Sequence, residues 1–195
     1  MIRRTTICAL AATAALAAAL TGCGTPPWGS DATPSSTTTT TLSTSVSNDL
    51  SGGSTQRTLT AGSVTATVDY WSELPMDQWT ASSLKTVKLS LVTTVTPDDG
   101  QKVYLQQATM TAVPGNASGS LDPLDAQIDQ ATTSPGYLVL DPYSYSQQFT
   151  IGSVPAEATF VTLEFSFDFL VQTTPTSTEY AKQTATDTLT VAIVP

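Results

Sequence analysis

The stretch TFVTLEFSFDFLVQ, Thr159–Gln172, decides the fold. Val161, Leu163, Phe165, Phe167, Phe169 and Val171 alternate with Thr162, Glu164, Ser166 and Asp168 before the apolar Leu170. Side chains of a strand point alternately to opposite faces, so a period of two predicts a strand with an apolar face in a core and a polar face in water. A helix would scatter the same residues around its circumference.

The period continues in both directions. SVTATVDYW (Ser63–Trp71) puts Val64, Ala66, Val68 and Tyr70 on one face, and Trp71 must point the other way. LKTVKLSLVTTVT (Leu84–Thr96) aligns Val87, Leu89, Leu91 and Val95, with Thr93 interrupting. KVYLQQATMTAV (Lys102–Val113) reads with Tyr104, Ala108, Met110 and Ala112 on one face that also carries Gln106. YLVL (Tyr137–Leu140), YSQQFTI (Tyr145–Ile151) and TDTLTVAIV (Thr186–Val194) supply further strands. Asp98-Asp99-Gly100 between two strands predicts a hairpin, and the Pro-Gly pairs at 114–115 and 135–136 mark loops. DPLDAQIDQA (Asp122–Ala131), with Asp122 as N-cap before Pro123, predicts one or two helical turns in a long connection. About seven strands with one long connection near the middle predict an all-β, immunoglobulin-like Greek-key sandwich over 57–195.

Composition narrows the chemistry. The net charge is −9, with 16 acidic and 7 basic residues. No basic stripe exists to meet phosphates, which speaks against nucleic acid. The chain has no histidine. That excludes Ser-His-Asp and Cys-His catalysis and every zinc site built on histidine.

The N-terminus has its own pattern. MIRRTT is a basic tip, and ICALAATAALAAAL (Ile7–Leu20) is an apolar run shorter than the ~20 residues of a membrane-spanning helix. The two cysteines are Cys8, inside that run, and Cys23, at its end. Leu20-Thr21-Gly22-Cys23 resembles the lipobox of bacterial lipoproteins. That resemblance implies that 1–22 is a lipoprotein signal peptide, that cleavage falls before Cys23, and that the Cys23 sulfur carries a diacylglyceryl group. It also implies a place on the outer face of the cell membrane of a Gram-positive, actinobacterial cell, with the lipid as the only attached group and no cofactor. Several acyl carbons are needed for stable anchoring, since each buried CH₂ contributes roughly 0.8 kcal/mol.

Residues 23–56 are rich in Ser, Thr, Pro and Gly, and this composition predicts a disordered linker. As a flexible chain its span would be roughly 30 Å. Its run Thr37–Thr41 resembles the O-glycosylated threonine tracts of actinobacterial lipoproteins. Further on, DDGQKVYL and LDPYSYSQQFTIGSVPAEATFVTLEFSF resemble the extracellular immunoglobulin-like domains of Gram-positive lipoproteins related to immunoprotective antigens of mycobacteria. Asp99-Gly100, Pro142, Phe149 and Val154-Pro155 carry that likeness, which implies a fold more than an activity.

Candidate site residues are few. Asp122, Asp125 and Asp129 would share a face of a short helix and form a weak Ca²⁺ candidate, although their spacing fits no EF-hand loop. Glu164 and Asp168 lie roughly 13 Å apart along one strand, too far for a glycosidase pair, so no catalytic residue is assigned. Trp71, Trp79, Tyr143 and Tyr145 are the aromatics that could contact a ligand. The expectation is a lipid-anchored surface protein that presents a non-catalytic binding or structural module, with an unknown protein or glycan as ligand. A carbohydrate-binding module is the first alternative, and a histidine-free hydrolase working through carboxylates is the second.

Overall fold

The computed structural model describes residues 46–195, so the expected signal peptide, Cys23 and most of the expected linker lie outside the described residues. Ten strands follow in order: β1 (Ser54–Ala61), β2 (Val64–Trp71), β3 (Lys85–Val95), β4 (Val103–Asn116), β5 (Gly119–Ser120), β6 (Gln127–Gln130), β7 (Tyr137–Leu138), β8 (Tyr145–Ile151), β9 (Phe160–Gln172) and β10 (Tyr180–Ala192). One sheet runs β1-β2-β3-β8, and the other runs β10-β9-β4 with β5, β6 and β7 along the far edge of β4. All named strand pairs are antiparallel.

The topology is an immunoglobulin-type Greek key. β3 and β8 pair in the first sheet while β4 and β9 pair in the second, so the chain crosses between sheets after β3, after β7 and after β8. β2-β3-β8 and β10-β9-β4 correspond to the A-B-E and G-F-C strands of that fold. β1 adds an outer strand beside β2.

Alternation placed the core. Val161, Leu163, Phe165, Phe167, Phe169 and Val171 of β9 are buried, as are Val64, Ala66, Val68 and Tyr70 of β2. From β3 the core takes Val87, Leu89, Leu91 and Val95, and from β10 and the chain end it takes Leu189, Val191 and Ile193. Thr93 shares the buried face of β3 because its hydroxyl donates to Val139 O at 3.0 Å. The Phe165 and Phe167 rings stack within the core with centroids 6.2 Å apart, and Tyr70 leans on Phe165 at 4.9 Å.

Four local expectations are corrected. First, Tyr104 does not share a face with Ala108. A bulge between Leu105 and Gln107 shifts the register against β9, so Val103 and Leu105 precede it in the core and Ala108, Met110 and Ala112 follow. One extra residue reverses the phase of alternation. Second, Asp98-Asp99-Gly100 is not a hairpin, since β3 and β4 belong to different sheets. It is a corner between sheets, with Gly100 at φ +90 and the Asp98 carboxylate accepting the Gly100 N–H at 3.0 Å.

Third, Asp122–Ala131 forms no helix. Gln127–Gln130 is β6, paired with Gln107–Met110 of β4, and the Leu121 and Leu124 amides donate to Pro114 O and Ala112 O, each at 2.8 Å. An open strand edge offers ladder bonds that outweigh a local cap. Fourth, the sandwich starts before residue 57. β1 begins at Ser54, and Leu50 is wholly buried. The described residues, 46–195, belong to one compact unit.

Candidate functional site

The four aromatics expected at a ligand surface separate. Trp79 is 0% exposed, and its indole N–H donates to Ser72 Oγ at 3.1 Å. Tyr145 is buried too. It stacks on Tyr137 at 5.6 Å and donates its hydroxyl to Asp129 at 2.7 Å. Both are core residues with a satisfied polar tip. Tyr143 is 58% exposed, in the turn between β7 and β8, beside the Thr93 end of β3. Trp71 lies half-buried on the outer face of β2, opposite Lys88. Five residues of β3 separate those two levels, about 16 Å of strand, so Trp71 and Tyr143 do not form one patch.

Trp71 lies in a row that crosses the four-stranded sheet from Ser54 of β1. It pairs with Lys88, and Lys88 pairs with Gln148. The next outward row is Gln56, Asp69, Ser90 and Ser146. Lys88 is ion-paired with Glu73, and Gln56 donates to Asp69 at 2.8 Å. A shallow depression of about 380 Å³ opens here, lined by Trp71, Lys88, Ser146, Gln147 and Gln148. The Gln147 side chain accepts the Gln148 N–H at 2.8 Å. The exposed side-chain amide of Gln148 and the Trp71 indole N–H make no hydrogen bond among the described residues.

The acidic candidates are dispersed. With no helix at 122–131, Asp122, Asp125 and Asp129 lose the shared face on which they were to hold Ca²⁺, and Asp129 instead accepts from Tyr145. Among the described residues no three carboxylate or cysteine side chains gather as a cation cage. On β9, Glu164 is exposed, whereas Asp168 is mostly covered by β10. Lys182 Nζ stands 2.9 Å from Asp168, and Thr184 Oγ1 donates to it at 2.6 Å. Burial pushes the Asp168 carboxyl up, but the bonds from Thr184 and Lys182 and the lysine charge outweigh it and hold it below the usual carboxylate range. A carboxyl held in the charged state is poorly matched to donating a proton near neutrality.

Two polar features escaped the pattern of the sequence. Lys85 sits in phase with Val87 and Leu89 and is wholly buried, with its ammonium donating to Thr80 O at 2.9 Å and Ser83 O at 2.8 Å. Burial pushes its pKa down. Its in-phase position was the signal, but lysine is so seldom buried that the position reads as an edge. The second feature lies where β1 and β10 face each other. Arg57 pairs with Asp49 at 2.9 Å, and the Tyr70 hydroxyl, Asp187 Oδ2 and Arg57 Nε are buried without a hydrogen-bond partner. Burial first, and then the Asp187 charge, push the Tyr70 phenol far above its ordinary value. Asp187 also caps the Thr188 N–H at 2.8 Å. An inward-pointing acid on a free edge strand discourages pairing with another chain.

Neither the comparison with protein-family models nor the comparison with curated proteins gives a match to this chain.

Proposed function

We propose that the chain is a lipid-anchored protein of the outer cell surface that presents its sandwich as a non-catalytic binding or structural module. The observation that carries this reading is Leu20-Thr21-Gly22-Cys23 at the end of a basic and then apolar N-terminus. A thiol at that place is a soft nucleophile for thioether formation, and the small residues before it suit a narrow peptidase site. The Ser/Thr-rich stretch between Cys23 and the sandwich would hold the module away from the lipid headgroups. The state of Asp168, tied to Lys182 and Thr184, weighs against the hydrolase alternative.

Replacing Cys23 by Ala tests the anchor. The variant should leave the membrane fraction or persist as uncleaved precursor. A correctly cleaved Cys23→Ala chain that stays on the membrane to the same extent would refute the lipid.

A further inference from the structure

We propose that the outer face of the β1-β2-β3-β8 sheet around Trp71 binds a neutral saccharide, with a pyranose ring stacked on the Trp71 indole and its hydroxyls bonded along the row to Gln148. This inference rests on the reading of the sandwich as a binding module and names its ligand class.

Position supports it first. Trp71 is the tryptophan of the sandwich that reaches the surface, whereas Trp79 is buried and spends its N–H on Ser72. The half-buried indole on the outer face of the sheet offers a flat apolar plate, with an N–H at its rim that makes no hydrogen bond among the described residues. Sugar rings present C–H groups on one side and hydroxyls around the edge, which is the complement of such a plate.

Spacing supports it second. Three adjacent strands carry Trp71, Lys88 and Gln148. At about 4.8 Å between strands, the row extends about 10 Å, enough for one or two pyranose units. Ser146 stands beside Gln148 on the same face of β8, and both are exposed. An amide both donates and accepts, so it suits a hydroxyl that does the same.

Charge selects the kind of saccharide. Lys88 is the cation of the row, and Glu73 neutralises it. The chain as a whole carries −9. A polyanionic glycan would meet repulsion at long range and no free cation at the site. A protein partner is disfavoured because the most exposed large apolar residues do not gather at this site: Ile128 and Tyr143 lie on other elements, and Leu84, just before β3, stands about 13 Å along the strand from Lys88.

Affinity electrophoresis of the full chain in non-ionic detergent tests the proposal, with gels containing mannan, laminarin, arabinogalactan or xyloglucan, and polygalacturonate as the anionic counterpart. At least one neutral polysaccharide should retard the protein. Trp71→Ala should weaken that retardation at least about tenfold, as loss of a central aromatic anchor does. Gln148→Ala should weaken it less, and Trp71→Phe, which keeps a ring, should retain part of it. Thermal melts of each variant separate loss of binding from loss of fold. If Trp71→Ala does not fold, Trp71→Phe and Gln148→Ala decide. No retardation by any neutral polysaccharide, retardation only by polygalacturonate, or retardation unchanged in the Trp71 and Gln148 variants would overturn the saccharide site. Membrane fractionation of the same protein reads the anchor separately, so a failed sugar test leaves that result standing.

Discussion

Asp49 clasps the free edge of β10 at Thr190 from both sides of the peptide unit. Its N–H donates to Thr190 O at 2.8 Å, and its carboxylate accepts the Thr190 N–H at 2.7 Å. The same carboxylate pairs with Arg57 of β1 at 2.9 Å. A residue that reads as linker therefore joins the outer strands of two different sheets. Asp49→Ala should cost about 2 kcal/mol, the range of a lost charge-assisted bond to a partly buried donor. Asp49→Asn, which keeps an acceptor and loses the ion pair, should cost less. Urea denaturation of the three proteins checks the order, and an Asp49→Ala chain as stable as the parent would contradict it.

Leu50 makes the same point through the core. A chain that starts at residue 57 lacks a fully buried leucine, the Asp49 clasp and the first three residues of β1. Removal of a buried leucine side chain alone costs about 2–5 kcal/mol. The shortened chain should melt well below one that starts at residue 46, and calorimetry of the pair reads the difference directly. Equal melting temperatures would restore the sandwich boundary to residue 57.

Phe167 and Asp168 are neighbours on opposite faces of β9. Phe167→Ala should cost about 3–5 kcal/mol, because it opens a cavity among stacked rings. Asp168→Ala should cost about 0.5–1.5 kcal/mol rather than nothing, since Thr184 and the half-exposed Lys182 lose their partner. Lys182→Ala should by itself reproduce only part of that loss, because Thr184 keeps its bond to Asp168. Asp168→Ala should also flatten stability at low pH. The Asp168 carboxyl is depressed in the fold, so its contribution is present above the ordinary value of 3.8 and disappears as pH falls below it. An acid titration that stays parallel in parent and variant would argue against that coupling.

Two phenols set the alkaline limit. Burial raises Tyr70 and Tyr145 from 10.0, helped by Asp187 at the first and by the bond to Asp129 at the second. The unfolded chain releases these protons near their ordinary value while the fold retains them. Their contribution is full below pH about 10 and is lost as pH rises above it. Lys85 works in the opposite sense. Its lowered pKa lets the fold shed a proton earlier, so stability rises with pH just below the lysine's ordinary 10.5. Tyr70→Phe and Tyr145→Phe should each shift the alkaline unfolding midpoint upward. Absorbance of ionised tyrosine, followed together with circular dichroism, checks this. Early ionisation of both phenols without unfolding would contradict the burial.

The alternation of β2, β3, β9 and β10 was legible because each strand has one face on the core and one toward solvent or a polar rim, so burial writes a period of two directly into residue type. The signal proposed at Cys23 is equally local, since a peptidase and a lipid transferase would read a few consecutive residues. What stayed illegible depends on partners distant in the chain. β1 carries only Leu59 and Ala61 as apolar inward residues, and its place comes from ladder bonds to β2. The bulge in β4 is a matter of register against β9, and β6 is a strand because β4 leaves an edge beside it. Trp71 and Trp79 are the same residue type on either side of one short loop. The alternation of β2 already turned Trp71 away from the face of Tyr70, but tertiary structure alone decided that Trp79, in the loop that follows, closes the core, because its burial is set by what packs around that loop and no period in the sequence encodes that.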